Sequence, residues 1–242
     1  MRNFLITAMG RSGTRFLAEN MNKSEKWTVL HEAGRWHDMK RTPKELNKRF
    51  ARNYYGEVNG YLRFISDRIR VEKRGVILRE PEELWFSITT WHKWLPLKIK
   101  QHEKWMSDLA GIKRAIPHLL NLVESGRYYV INFERMTTEK EYLKDIFLHF
   151  GIDDVKVTRS MLYTKINRVP EGVERTTWAD FGPKVKDEIM RLKDMYLKRT
   201  EKIFGVTDFQ QNEPDAEITN DTTSPITDEV TDIREYREYF KG

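Results

Sequence analysis

The chain of 242 residues contains no cysteine. Disulfides, thiolate catalysis and a cysteine-ligated zinc site are therefore excluded. Long apolar runs are missing too: no stretch approaches the roughly eighteen residues a membrane-spanning helix needs. The first apolar run, Phe4–Ala8, is too short for a signal peptide and has the composition of a strand. No grouping of His with Asp or Glu has metal-ligand spacing, so no metal is expected.

What is present is a basic body with an acidic end. The whole chain has 43 Lys or Arg and 37 Asp or Glu, a net charge of +6, but residues 206–242 hold ten acids and three bases. Residues 1–205 therefore carry 40 bases and 27 acids. Such a balance points to nucleic acid, a membrane surface or an anionic ligand. The basic residues include those at two candidate phosphate sites, which favours the anionic ligand and no nucleic acid. A single domain over 1–205 is expected, followed by a polar acidic tail. Val230, Ile233, Tyr236, Tyr239 and Phe240 could form a short terminal helix docking on the body.

The stretch around which the chain is organised is Phe4–Asn20. The strand ends in Gly10-Arg11-Ser12-Gly13, and a helical pattern starts at Thr14 with Phe16, Leu17 and Met21. Strand, glycine loop and helix in that order can cradle an anion, since backbone N–H groups and the helix N-terminus converge. A tight left-handed turn would use the same glycines. The spacing is not that of a Walker A loop, because Gly13-Thr14-Arg15 follows Gly10 too closely and no lysine is present.

Further strands are expected at Trp27–Leu30, Val76–Leu78 and Tyr128–Asn132. Helices are expected over Pro43–Asn53, over Tyr61–Ile69 closed by Gly75, from Pro81 to about Trp94, over Lys98–Glu124, over Glu139–Phe150 capped by Thr137 or Thr138, and over Pro183–Phe204. Trp91, His92, Trp94, His102 and Trp105 recur at helical spacing; a cofactor or sugar platform is one reading, and core, the commoner role of aromatics so spaced, is the expected one. Strands alternating with helices predict an α/β fold, an open parallel sheet flanked by helices with ligands at the carboxyl ends of its strands.

Arg11-Ser12-Gly13-Thr14-Arg15 resembles the 5′-phosphosulfate loop of sulfotransferases that use PAPS (3′-phosphoadenosine 5′-phosphosulfate). Arg79, Pro81 and Ser87 reproduce the spacing of that family's 3′-phosphate site, an Arg at a strand end and a Ser eight residues on. Phe133-Glu134-Arg135-Met136 resembles its segment after the fourth core strand, with Asn132-Phe133 departing from the usual pair. The resemblance covers residues 3–205 and implies a P-loop-like sulfotransferase architecture with PAPS as co-substrate and no metal. It further implies a hydroxyl or amine acceptor on a carbohydrate or small molecule. Anchored family members work in the Golgi; the lack of an anchor here implies a cytoplasmic protein.

Transferred to this sequence, the resemblance places Arg11, Ser12, Gly13, Thr14 and Arg15 on the phosphosulfate and Arg79 and Ser87 on the 3′-phosphate. Lys165 and Arg168 fall in the loop that closes over the nucleotide, although the family's Arg-Lys-Gly is absent. Arg11 stands where the family has its catalytic Lys or Arg. Glu32 stands at the base position of the polysaccharide-sulfating members, and could instead be an ion-pair partner of Arg11 or Arg15. His31 is the next choice for the base, although in an extended strand it would point away from Glu32. A phosphoryl-transferring relative and a nucleotide binder without chemistry remain open alternatives. Removing residues 206–242 is expected to leave a folded, nucleotide-binding body; a truncated chain with no cooperative melting transition would put the terminus in the core.

Overall fold

The run at the start of the chain forms β1 (Asn3–Ala8), and all six of its residues are buried. Burial on both faces is the signature of a central strand in a parallel sheet. The computed structural model describes residues 2–94, 101–163 and 172–204. The expected tail and terminal helix at 206–242, and Lys165 and Arg168, lie outside the described residues.

After β1 come α1 (Thr14–Met21), β2 (Thr28–His31), a 3₁₀ turn at Arg35–Lys40, α2 (Pro43–Phe50), β3 (Tyr55–Val58) and β4 (Lys73–Leu78). The second half holds α3 (Pro81–Trp94), α4 (Gln101–Glu124), β5 (Tyr129–Asn132), α5 (Phe133–Thr138), α6 (Lys140–His149), α7 (Arg159–Tyr163) and α8 (Pro183–Phe204). The strands pair in parallel in the order β2-β3-β1-β4-β5. The connections run to one side of β1 for β2 and β3 and to the other for β4 and β5. The carboxyl end of β1 is thus the point where the winding reverses, which is where such sheets open a ligand crevice.

Alternation along the strands sorts side chains between the two faces. Phe4, Ile6, Ala8, Ile77 and Ile131 pack with Phe16 and Leu17 of α1, Phe147 of α6 and Phe150 just after it. Val76 and Leu78 face the other way, onto Leu84, Trp85, Ile112, Leu119 and Ile189 of α3, α4 and α8. Leu5 and Tyr55 meet Leu46 and Phe50 of α2 on that same second face. Each large apolar side chain fully buried in this way contributes about 1.5–3 kcal/mol. Gly56 of β3 is required by close approach, since a Cβ there would lie 2.1 Å from the Phe4 ring.

Helix starts follow their capping residues. Thr42 and Glu45 form a reciprocal capping box on α2, with Pro43 at the first helical position. Glu80 accepts from the backbone N–H of Glu82 at 3.2 Å and Glu83 at 2.9 Å, capping α3. Asn132 ends β5 and caps α5 by accepting from the Arg135 N–H at 3.0 Å.

The structure departs from expectation at several places in the fold. β3 lies within a polar stretch that shows no strand pattern. Residues Tyr61–Ile69 make two separate 3₁₀ turns instead of a helix. Gly75 sits inside β4, not after a helix. Glu139 precedes α6, and the Thr137 and Thr138 hydroxyls donate to carbonyls of α5 instead of capping it. In the last case a side chain found its partner one turn back, as hydroxyls near a helix end readily do.

Candidate functional site

The loop between β1 and α1 turns twice through the left-handed region, at Arg11 (φ 65°) and Gly13 (φ 71°). Gly13 supplies no capping side chain to α1, so the first-turn N–H groups face the space beyond β1. A Cβ at Gly13 would be strained by the positive φ and crowded by α5. It would stand 2.8 Å from Met136 Cε and 3.0 Å from the Phe133 ring of α5, which closes over the loop.

Arg11 is not a glycine, and a side chain at positive φ costs roughly 1 kcal/mol. Its neighbours determine that conformation. Arg79, just past β4, donates from Nη1 to the Arg11 carbonyl at 2.5 Å. Arg11 itself donates from Nε to Ser87 Oγ at 3.4 Å, and its guanidinium lies 4.5 Å from the Trp91 ring centre. Ser87 and Trp91 are one turn apart on α3, so both face the loop. The expected pair, Arg79 and Ser87, therefore meets at Arg11.

The Arg79 guanidinium lies 4.2 Å from the Phe133 ring centre and 4.0 Å from Glu83. Burial pulls its pKa below the ordinary value, with Glu134 and then Glu83 opposing. Its buried Nε has no hydrogen-bond partner among the described residues, nor does Glu134 Oε2. Burial likewise pushes the Glu134 carboxyl up, against a backbone hydrogen bond and Arg79. A cation held among poorly satisfied groups suits an anion that would complete its shell.

On the opposite side of the loop stand His31 and Glu32. His31 Nε2 is 3.0 Å from Thr14 Oγ1 at the first turn of α1. Glu32 Oε2 is 3.8 Å from the same ring nitrogen, and Glu32 Oε1 accepts from the Gly60 N–H at 3.3 Å. The expectation that His31 points away from Glu32 does not hold. β2 ends at His31, and Glu32 adopts φ 46°, so the extended alternation stops between them. Gly60 marks the same crevice: a Cβ there would lie 3.2 Å from Glu32 Oε1, 3.3 Å from the Ala8 carbonyl and 3.9 Å from Gly10 N.

Ser12 is buried at the loop and Thr14 is held by His31. Arg15 pairs with Glu19 at 2.5 Å on the exposed surface of α1, both side chains 43% exposed. The structure thus gathers Arg11, Ser12, Gly13, Thr14, His31, Glu32, Arg79 and Ser87, and sets Arg15 apart with Glu19. Trp91, Phe133, Met136 and Gly60 were not singled out as site residues from the sequence. For Trp91 a signal existed, since it stands four residues after Ser87. Trp105 does join the core, 4.9 Å from Phe181.

The chain re-enters the described region beside α3. Thr176 is buried against Thr89 at 2.7 Å and Thr90 at 2.9 Å, and Arg175 reaches Glu83 at 2.6 Å. Among the described residues no group of three or more metal-ligating side chains is assembled, and no helix is long and apolar enough to cross a membrane.

No family profile matches the sequence, and no curated protein does. Among solved structures, a sulfotransferase from Alicyclobacillus acidocaldarius superposes with a TM-score of 0.54 at 14% identity, over 84% of this chain and 95% of that one. Mouse sulfotransferase SULT7A1 complexed with PAP gives 0.48 at 14% identity, over 82% and 83% of the two chains. The first similarity shows that the parallel sheet and its flanking helices have the sulfotransferase fold.

The loop geometry makes a direct stability prediction. Gly13→Ala is expected to lose about 1–3 kcal/mol, from positive φ and the contact with Met136 and Phe133. Urea unfolding measures it, and an unchanged midpoint would mean that α5 does not close on the loop.

Proposed function

We propose that this chain, which has the sulfotransferase fold, moves the sulfuryl group of PAPS to a hydroxyl or amine. The acceptor would be a carbohydrate or small molecule, and adenosine 3′,5′-bisphosphate (PAP) would be released. One observation carries the reading. An open helix N-terminus, a cation on the loop and a carboxylate–imidazole pair converge at the carboxyl end of β1.

Each group has a role that its position permits. The loop N–H groups and Arg11 hold the phosphosulfate and meet the negative charge that grows on the bridging oxygen as the S–O bond breaks. Arg79 uses Nη1 on the loop carbonyl and keeps further donors for the 3′-phosphate, with Ser87 beside it. Ser12 and Thr14 complete the loop side of the pocket; Arg15 would join them only by leaving its exposed ion pair with Glu19, which costs little to break, while Lys165 and Arg168 would reach the nucleotide from the segment after α7. Glu32 takes the acceptor's proton as its oxygen or nitrogen attacks sulfur. His31, hydrogen-bonded to Thr14, ties that carboxylate's neighbourhood to the loop and is the second choice for the base. Arginine and backbone donors supply the charge stabilisation, so the reading calls for no metal.

PAP is expected to stabilise the protein in the presence of EDTA, by about 2.7 kcal/mol at a hundred times its dissociation constant. Arg79→Ala should remove most of that gain. Equal stabilisation of the wild type by 5′-AMP and PAP would eliminate the 3′ site.

Turnover separates the base from the anchor. Glu32→Gln should retain PAPS affinity and lower the single-turnover rate by ~10²–10⁴-fold. Arg11→Ala should lower both. A screen of acceptors with labelled PAPS supplies the substrate, and a Glu32→Gln enzyme running at the wild-type rate would transfer the role to His31.

A further inference from the structure

Beneath Glu32 lies a buried polar cluster that the proposed chemistry does not use. Glu57, on β3, is fully buried, as are Asp38 and Asn59. Glu57 Oε1 accepts from the Ala33 backbone N–H at 3.2 Å, from Asn59 Nδ2 at 2.6 Å and from Arg49 Nη2 at 3.1 Å. Its Oε2 accepts from the Tyr55 hydroxyl at 3.1 Å. Arg49 also grips Asp38 with both terminal nitrogens, at 2.8 and 2.7 Å. Burial pushes the Glu57 carboxyl up, with Arg49 opposing.

A carboxylate on an inner strand of the sheet is an expensive choice, since an apolar residue would avoid the desolvation. The contacts of Glu57 point to what the carboxylate does. Ala33 is the residue after Glu32, whose left-handed φ must be held from both sides. On one side the Glu32 N–H donates to the Val58 carbonyl at 3.1 Å. On the other, Glu57 captures the Ala33 N–H. Asn59 gives its amide N–H to Glu57 while its Oδ1 accepts from the Tyr61 N–H at 2.8 Å, starting the turn at Gly60. That turn aims the Gly60 N–H at the Glu32 carboxylate.

We propose that Glu57 is a positioning residue for Glu32, fixing the backbone on which that carboxylate stands through Ala33 and the donor that holds it through Asn59 and Gly60. This deepens the proposed function and rests on Glu32 being the base. The donor half of the site, around Arg11 and Arg79, shares none of these hydrogen bonds. Loss of Glu57 therefore acts on the transfer step and spares nucleotide binding.

The test compares wild type, Glu57→Gln, Glu32→Gln and the double variant. PAP affinity and release of PAP from PAPS with water as acceptor are measured. In that reaction water's oxygen bonds to sulfur, the S–O bond to the 5′-phosphate breaks, and Glu32 takes the proton. Glutamine keeps the shape of Glu57 but leaves a single acceptor oxygen for the Ala33, Asn59, Arg49 and Tyr55 donors that the two carboxylate oxygens share.

Glu57→Gln is expected to bind PAP within about twofold of wild type and to slow release by about 10- to 100-fold, the cost of a misplaced catalytic group. The double variant is then no slower than Glu32→Gln, because Glu57 acts only through Glu32. Wild-type release by Glu57→Gln, or a double variant slower by the product of the two single effects, overturns the proposal. If Glu57→Gln has no melting transition, Asn59→Ser carries the same test: it keeps a cap for Tyr61 and removes the amide donor. Where the wild type releases none with water, the acceptor from the labelled-PAPS screen replaces water in all four assays, and a wild type that transfers to no acceptor removes the transfer reading and this inference with it. A wild type that binds no PAP fails earlier, at the nucleotide reading.

Discussion

The turn from β1 into α1 must be made within five residues, and two of them take left-handed backbone. Glycine adopts that conformation freely at position 13, but Arg11 does so only because other elements hold it there. The Arg79 hydrogen bond to its carbonyl fixes the peptide, and the Trp91 ring and Ser87 hydroxyl fix its side chain. Those three groups come from the end of β4 and from α3, which is why β4 must lie directly beside β1. The α5 residues Phe133 and Met136 then crowd any Cβ at position 13. Much of the strand order and helix placement serves to present one strained loop.

The charge balance of the site follows from the same packing. Arg79 is removed from water by Phe133 and the body of α3, and its contact with the Glu83 carboxylate is 4.0 Å long. Burying a cation without close partners costs more than an ion pair at that distance returns. Glu134 and Glu83 keep the guanidinium charged without saturating its donors, as the orphaned Nε shows. An anion bound there would be favoured twice, by its own hydrogen bonds and by relieving the desolvation of a group already in place.

The loop side of this arrangement was legible in the sequence because its signals are local. Phe4–Ala8, Gly13, Pro81 and the helical repeat of α8 each follow from rules of period and capping that a few neighbouring residues obey. The same rules failed at β3. Tyr55-Gly56-Glu57-Val58 has a glycine chosen for the Phe4 ring and a carboxylate chosen for partners on α2 and at Ala33 after β2, so neither alternation nor β-branching marks it. Tyr61–Ile69 had helical spacing but follows Asn59, whose cap commits the chain to a 3₁₀ turn. His31 was misaimed for a similar reason, since alternation predicts direction only while the backbone stays extended.

The two halves of the crevice are thus built by different physics. Around Arg11 and Arg79 the determinants are apolar faces, ring stacking and glycine contact, and such packing tolerates little change of shape. Around Glu32 the determinants are hydrogen bonds among buried polar groups, which fix position only while each partner is satisfied. A donor molecule of constant structure suits the first kind of wall. On the proposed function, an acceptor would instead be met by a base whose placement can be set independently of the nucleotide. A polar scaffold spanning β3, α2 and the turn after β2 does that without disturbing the loop, because its hydrogen bonds end at Gly60 and Ala33. Variation in the exposed residues after Glu32 could then change what is accepted while the donor site stays as it is.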